Sequence, residues 1–497
     1  MAEANLQTTS GASEVTAEVS EFEARLLGGF KPKSANATSV VQNAVRTLAH
    51  QALSATKLIS GDAVRAIESM IAELDKRMSE QLNLVIHHED FQKLEGTWRG
   101  VKHLVERTES GDMLKIKVLN VTKKELLKDF KRVGEQFDQG ELFRKVYTDE
   151  YSQFGAEPYG MLVGDYFFDH SPQDVAFLSG MAKVASSAHA PFISATDPRV
   201  LDMDTWQDLP KPVDLAAKVR GVEYAGWRAL RDSEDSRYLA LCMPRFLSRL
   251  PYGAKTEPVE EFAFEEDTAG ADHRKYTWAN SAFAMAANVT RSFKLYGWCA
   301  RIRGVESGGL VEGLKLHSFK TADGKTDFKC PTEVMIDDRR EAELAALGMM
   351  PLLYRKNSEE AAFIGAQTLN KPTVYDDPDA TGNANLSARL PYIFATCRFA
   401  HFLKSMVRDK IGSFKEREDM ERWLNDWIAN YVVIDPHAGE EIKAKYPLAQ
   451  AEVTVAEVEG NPGYYTANFF LRPHYQLEGL TASLSLVTKL PSVGGGT

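Results

Sequence analysis

Cysteine is scarce in this chain: Cys242, Cys299, Cys330 and Cys397 are the only four among 497 residues, and no two form a CxxC pair. That spacing excludes a zinc ribbon or a dithiol redox motif and leaves reduced, buried thiols as the expectation. Excess positive charge is missing as well. The formal net charge is −11, with a pI near 5.6, the wrong sign for a protein that grips a phosphate backbone. No apolar run approaches the ~18 residues of a membrane span, and the first basic residue is Arg25, so a secretory leader is not expected either. These absences point to a cytoplasmic protein with no nucleic-acid partner and no direct membrane insertion.

Catalytic motifs are equally sparse. Asp323-Gly324-Lys325-Thr326 carries the tail of a phosphate loop, but Phe319 stands where the first glycine is required, so an Asp-Gly hairpin turn is the better reading. Gly304, Gly308, Gly309 and Gly313 lack dinucleotide-binding spacing and suit a close backbone approach or a loop. His87-His88-Glu89-Asp90 offers ligand types without metalloprotease spacing. Asp337-Asp338-Arg339-Arg340 reads as a helix start, where acids complement the helix dipole. Turnover dependent on Asp337 or Glu333 would be needed to revive an enzyme. The expectation is no enzyme, no cofactor and no metal.

What is present is a well-patterned globular chain, 44% hydrophobic and 26% charged, long enough for two or three domains. Residues 1–14 are small and polar, the composition of an arm. Val15, Val19, Phe22 and Leu26 then fall on one helical face before Gly28 and Gly29, either a docking peptide or a helix folded back on its own domain. A second helix is expected over 39–53, with Val41, Val45, Leu48 and Ala52 on one face. After the Gly61-Asp62 break, Val64, Ile67, Ile71, Leu74, Met78, Leu82 and Val85 recur at threes and fours. That is the narrow seam that packs on another long helix, of this domain or of a partner chain.

From Gly111 the pattern becomes mixed α/β. Leu114, Ile116 and Val118 alternate with Lys115 and Lys117, which predicts a half-buried strand over 113–121. Thr122-Lys123-Lys124-Glu125 is a capping box. A buried strand over 161–168, a helix opened by Ser171-Pro172 and a strand over 190–194 make a crossover unit. The run Glu257, Glu260, Glu261, Glu265, Glu266, Asp267, Asp272 has no intervening Lys or Arg and reads as a solvated loop.

Residues 398–417 reverse that bias. His401, Lys404 and Arg408 line one face of a helix, with Lys410 and Lys415 beyond them. Gly412 is expected to end it, and Ser413-Phe414-Lys415-Glu416 to cap the next helix, with Trp423, Leu424, Trp427 and Tyr431 inward. Ala451, Val453 and Val455 alternate with polar residues, GNPG turns the chain at 460–463, and 464–471 is extended. Leu480, Ala482, Leu484 and Leu486 alternate again. Such strands close the chain's own sheet or extend a neighbour's.

Several longer phrases carry a resemblance: FQKLEGTWRG (91–100), PYGMLVGDYFF (158–168), AHAPFIS (188–194), PRFLSRLPYG (244–253), YTWANSAFA (from 276), TEVMIDDRREAELA (from 332), CRFAHFLKSMVRDKIGSF (from 397) and PGYYTANFFLRPHYQLEGL (from 462). Together they resemble the large subunit of the type VI secretion contractile sheath, the TssC or VipB type. The resemblance implies a multi-domain α/β sheath fold. Its parts would be an arm with a docking helix (1–35), a helical region meeting the small sheath subunit (36–110), a middle α/β domain (111–370) and an inner domain with interlocking strands (371–497). It implies polymerisation with the small subunit and with copies of itself around an inner tube, attachment to a baseplate, and disassembly by a AAA+ ATPase. In those terms Val15, Val19, Phe22 and Leu26 would dock the ATPase, and Ile67, Ile71, Leu74 and Met78 would pack on the small subunit. Lys404, Arg408, Lys410 and Lys415 would face the tube or another sheath subunit, and Val453, Val455, Leu484 and Leu486 would interlock protomers.

Overall fold

The computed structural model describes residues 43, 47, 63–155, 157–211, 213–260, 262–268, 272–321, 323–410, 417–435, 437–457, 465–474 and 476. The chain divides into two compact units, Met1–His88 with Pro251–Thr268, and Glu89–Leu250 with Ala269–Thr497. The docking stripe at 15–26, the capping box at 413–416 and the strand at 480–486 lie outside the described residues.

In the first unit the long helix α1 spans Ala63–Ile86. Its last turn is tied to the acidic run. The Asn83 amide accepts from the Asp267 backbone at 2.9 Å and donates to the Glu265 carbonyl at 3.3 Å. Glu266 is buried, 3.3 Å from His87, and accepts from the Tyr252 backbone at 2.8 Å. The run is therefore not simply a solvated loop: backbone N–H groups and a histidine give its carboxylates partners, which is what burying them requires.

In the second unit the longest helices are α2 (Glu89–Glu106), α3 (Lys123–Val133), α4 (Pro172–Ala188), α5 (Ser281–Tyr296), α7 (Leu390–Lys410) and α8 (Arg417–Ala429), and among the shorter ones is α6 (Asp338–Ala346). The strands are β1 (Leu162–Phe168), β2 (Phe192–Thr196), β3 (Leu239–Met243), β4 (Phe246–Leu247), β5 (Trp278–Ala279), β6 (Leu310–Val311), β7 (His317–Lys320), β8 (Thr326–Lys329), β9 (Met349–Tyr354), β10 (Ala361–Phe363), β11 (Leu448–Glu457) and β12 (Tyr465–Pro473). Six of them form one mixed sheet in the order β1-β2-β3-β9-β10-β6. The first four run parallel and β10 antiparallel to both neighbours. The expected crossover is β1, α4, β2, with Ser171 capping α4 and Pro172 in its first turn.

Every residue of β2 and β3 is buried, the mark of a sheet covered on both faces. Alternate residues feed two cores. Phe192, Leu239, Leu241 and Met349 join α4, with Phe177 and Leu178, on one face. Ile193, Ala240, Cys242 and Met350 join α5, with Ala282 and Met285, on the other. A third core unites Trp298, Phe399 and Leu403 with Leu424, Ile428, Val453 and Val455.

Local expectations fare unevenly. Thr122 and Glu125 form the capping box of α3. Gly324 turns the β7–β8 hairpin at φ 76°. A Cβ on Gly309 would lie 2.4 Å from the Phe363 carbonyl, so the glycine-rich segment serves a close backbone approach. Residues 113–121, however, are not a strand: only an isolated bridge joins Gly111 to Leu114. The alternation has another cause. Ile116 packs toward Leu104 and Phe283, while Lys115 and Lys117 reach Glu157 and Glu150 at 2.5 and 2.6 Å, so the segment is pinned by side chains.

Candidate assembly surfaces

Helix α2 carries two apolar faces. The inner one is Gly96, Gly100, His103 and Leu104, all buried. A Cβ on Gly96 would fall 2.4 Å from the Trp278 carbonyl, and one on Gly100 2.3 Å from the Phe283 ring. Only glycine lets this helix approach β5 and α5 so closely. Polar pins fix its rotation: Thr97 bonds Asp165, and Glu95 meets Arg249 at 2.7 Å and Arg99 at 2.8 Å. Burial alone would raise the Glu95 carboxyl, but the Arg249 and Arg99 guanidiniums outweigh it and hold it below the usual range. At Asp165 burial wins and pushes the carboxyl up, against hydrogen bonds from Thr97 and Asn280 and the Arg245 charge.

The outer face points to solvent. Phe91, Leu94, Trp98 and Val105 are 38, 57, 61 and 50% exposed, and Val101, half-buried, sits at the edge of this face, where it packs against the Leu104–Phe283 cluster. The steps are three, four, three and four. The first three positions of this seam, Phe91, Leu94 and Trp98, were readable within FQKLEGTWRG but were missed, because Gly96 and Gly100 in the same phrase break the look of a helical stripe.

On α1 the expected seam is also open. Ile71, Met78 and Val85 are 49, 50 and 45% exposed, with Leu74 and Leu82 half-buried. Ile67 lies in the helix, its side chain outside the described residues.

The basic stripe sits on α7 but turns inward to its own chain. Lys404 Nζ lies 3.6 Å from the centre of the Tyr151 ring and 4.6 Å from that of Tyr147, and is 3.2 Å from the Tyr147 hydroxyl. Arg408 donates to the Gln153 carbonyl at 3.0 Å, its guanidinium 5.2 Å from the Phe154 ring. His401 Nε2 donates to the Ala188 carbonyl at 2.9 Å, and burial lowers its pKa to about 4. On the aromatic side of this clamp, Tyr147 lies within a π-helical turn over Arg144–Thr148, and Tyr151 and Phe154 follow it. Sequence spacing aligned the cations; it held no sign of the tyrosines. Lys410 is helical with its side chain outside the described residues, and Lys415 lies outside them altogether.

The two C-terminal strands form a ribbon, β11 against β12. Val453 and Val455 are buried and face α8. The outward backbone of β11 is capped by that helix. Asn425 accepts from Val453 N–H at 2.9 Å and donates to its carbonyl at 2.8 Å. Glu421 accepts from Val455 N–H at 2.9 Å, and Arg417 donates to the Val455 carbonyl at 3.2 Å. Val453 opposes Phe469 and Val455 opposes Ala467, so the backbone groups of Ala467 and Phe469 point away from β11. Among the described residues nothing pairs with that outer edge of β12. Leu484 and Leu486 lie outside the described residues.

Glu333, named with Asp337 as a residue on which an enzyme would have to depend, is fully engaged. It meets Arg245 at 2.6 Å and His273 at 3.0 Å. Burial would raise it, yet the Arg245 charge and the His273 hydrogen bond hold it at about 2. A carboxylate so committed braces the loop between β8 and α6. Asp337 caps α6 by accepting from the Arg340 backbone. Among the described residues no three His, Cys, Asp or Glu side chains form a metal-ligand group.

Residues 68–370 match the family model of the EvpB/VC_A0108 tail sheath N-terminal domain. Residues 379–490 match that of the EvpB/VC_A0108 tail sheath gpW/gp25-like domain. The chain is 63% identical over 494 residues, 99% of both sequences, to the type VI secretion system sheath protein TssC1 of Pseudomonas aeruginosa. Among solved structures, a chain of the anti-feeding prophage baseplate aligns over 76% of this chain and 84% of its own, with a TM-score of 0.36 and 10% identity.

Proposed function

We propose a division of surfaces that starts from one premise: this chain belongs to the VipB tail-sheath family. It is a structural subunit of the contractile sheath of a type VI secretion system, a family that assembles with a small sheath subunit and with copies of itself. The observation that carries the geometric side is the pair of exposed apolar seams on α1 and α2. A soluble chain rarely leaves a row of large apolar side chains in water unless a partner covers them.

On this reading the protein does no catalysis and works in the cytoplasm; among the described residues no helix is long and apolar enough to cross a membrane. Ile71, Leu74 and Met78 of α1, with Ile67, receive a helix of the small sheath subunit. The open edge of β12 takes a strand from a neighbouring protomer, and Leu484 and Leu486 supply such a strand in turn. Val453 and Val455 contribute by packing that holds the ribbon on α8. Val15, Val19, Phe22 and Leu26 dock a AAA+ disassembly ATPase, and the polymer surrounds an inner tube on a baseplate. Lys404 and Arg408 support a tube-facing or sheath-facing surface indirectly, by fastening the end of α7 to Tyr147–Phe154.

Contraction in such a polymer needs only two packings differing by a few kcal/mol per protomer, summed over many copies. Co-expression with the small subunit is expected to yield long hollow cylinders by electron microscopy. A monodisperse monomer under the same conditions would overturn the reading. For the arm, Phe22→Ala with Leu26→Ala should leave cylinders intact and stop their ATPase-driven disassembly.

A further inference from the structure

We infer that the outer face of α2, Phe91-Leu94-Trp98-Val101-Val105, is a second docking surface for the small sheath subunit and takes a single amphipathic helix of about four turns. The inference rests on the sheath reading and adds to it a surface in the other compact unit from α1.

The spacing identifies the kind of occupant. Alternating steps of three and four hold a straight line only against another helix, whose side chains enter the gaps between these knobs. A strand or a loop would meet the five positions out of register. From Phe91 to Val105 the seam is ~21 Å long, the length of a helix of about 15 residues. The opposite face of α2 is already sealed by Gly96 and Gly100 against β5 and α5, so the outer seam cannot be buried by turning the helix.

Size and charge narrow the choice further. The exposed parts of Phe91, Leu94, Trp98 and Val105 amount to on the order of 400 Å² of apolar surface, about half of the ~800 Å² that one partner contributes to a stable interface. The seam therefore belongs to a larger contact. Its flanking lysines are answered on the same helix, Lys93 by Glu89 at 2.7 Å and Lys102 by Glu106 at 3.6 Å. Nothing at the rim calls for a charged ligand, and an aromatic anchor in a neutral setting is how permanent interfaces are centred. A second copy presenting the same seam is not the occupant. An isologous pairing of one patch with itself closes a two-fold dimer, whereas a sheath grows through heterologous contacts. The small subunit, present beside each large one, fits all of these requirements.

The test is a photo-crosslinking amino acid at position 98 of the full chain, co-expressed with the small subunit, with exposed position 93, about 120° around the helix from the seam, as the control. The expected result is a crosslink from 98 to one helical peptide of the small subunit, absent or much weaker from 93. Crosslinks to a second large subunit, or back to this chain's own N-terminal residues, would overturn the assignment. In parallel, Leu94→Glu with Trp98→Glu should lower co-purification of the small subunit at least about tenfold. Retention of the partner by that variant, with unchanged cylinders, would also overturn it. If the unaltered pair forms no cylinders at all, the sheath reading itself fails; cylinders with a crosslink elsewhere sink this surface alone.

Discussion

The central sheet and the C-terminal ribbon are both built of alternating apolar strands, yet they end in opposite conditions. In the sheet, β2 and β3 are flanked by strands on both edges and by helices on both faces. In the ribbon, one face packs on α8, one edge is capped by Asn425, Glu421 and Arg417, and the other edge is open among the described residues. The difference separates what holds the subunit together from what joins subunits. Damage to the sheet should unfold the protein; damage to the open edge should leave a folded subunit that cannot polymerise.

The largest expected effect tests the first half of that contrast. Phe177 is fully buried among Phe130, Tyr166 and Phe168. Phe177→Ala should cost about 3–5 kcal/mol of stability, measured by denaturant unfolding, and abolish assembly only as a consequence. A loss below 1 kcal/mol would mean the sheet is less tightly sealed than its burial implies.

Acid should act on the body next. Glu333 is held at about 2, so its contribution is present above the ordinary carboxyl pKa near 4.5 and is lost as pH falls from there toward 2. Burial of His401 and His103 depresses them to about 4 and about 3. The unfolded chain binds protons at those histidines from near pH 6.5 downward while the folded chain refuses them, so stability falls as pH drops from about 6.5 to 4. Each group is worth on the order of 3–5 kcal/mol. Thermal melts between pH 7 and 4 should show a steady fall, and His401→Gln should flatten part of it.

The ribbon is addressed by Asn425→Ala, which leaves the outward N–H and C=O of Val453 without their partner. A local loss of about 1–2 kcal/mol is expected, seen as faster amide exchange in 448–457 with β2 and β3 unchanged. Smallest in stability, and sharpest for the comparison, is Ala467→Pro. Its N–H points away from β11, so the replacement should cost less than about 1 kcal/mol yet block strand addition and shorten or abolish cylinders. Normal cylinders from that variant would show that the β12 edge joins nothing.

Much of this was legible from local chemistry. The Ser171-Pro172 start of α4, the Thr122 capping box and the Asp323-Gly324 turn depend on residues within four positions of one another, and each stands in the structure as read. The readings that changed involve distant partners. Lys115 and Lys117 looked like the wet side of a strand until Glu157 and Glu150 met them. Glu266 looked solvated until His87 and the Tyr252 backbone enclosed it. Lys404 and Arg408 looked free to face another molecule, and Tyr147, Tyr151 and Phe154, some 250 positions earlier, hold them. The outer seam of α2 lay in plain view, but its meaning depended on which face Gly96 and Gly100 would bury.

By itself, then, the sequence determined the mixed α/β class, the long phrases shared with tail-sheath proteins and the element starts set by caps and turns, because periodicity and capping are contacts between near neighbours. Tertiary structure decided which apolar faces are sealed, which edge stays open and which charges already have partners, because burial and pairing depend on where remote segments arrive.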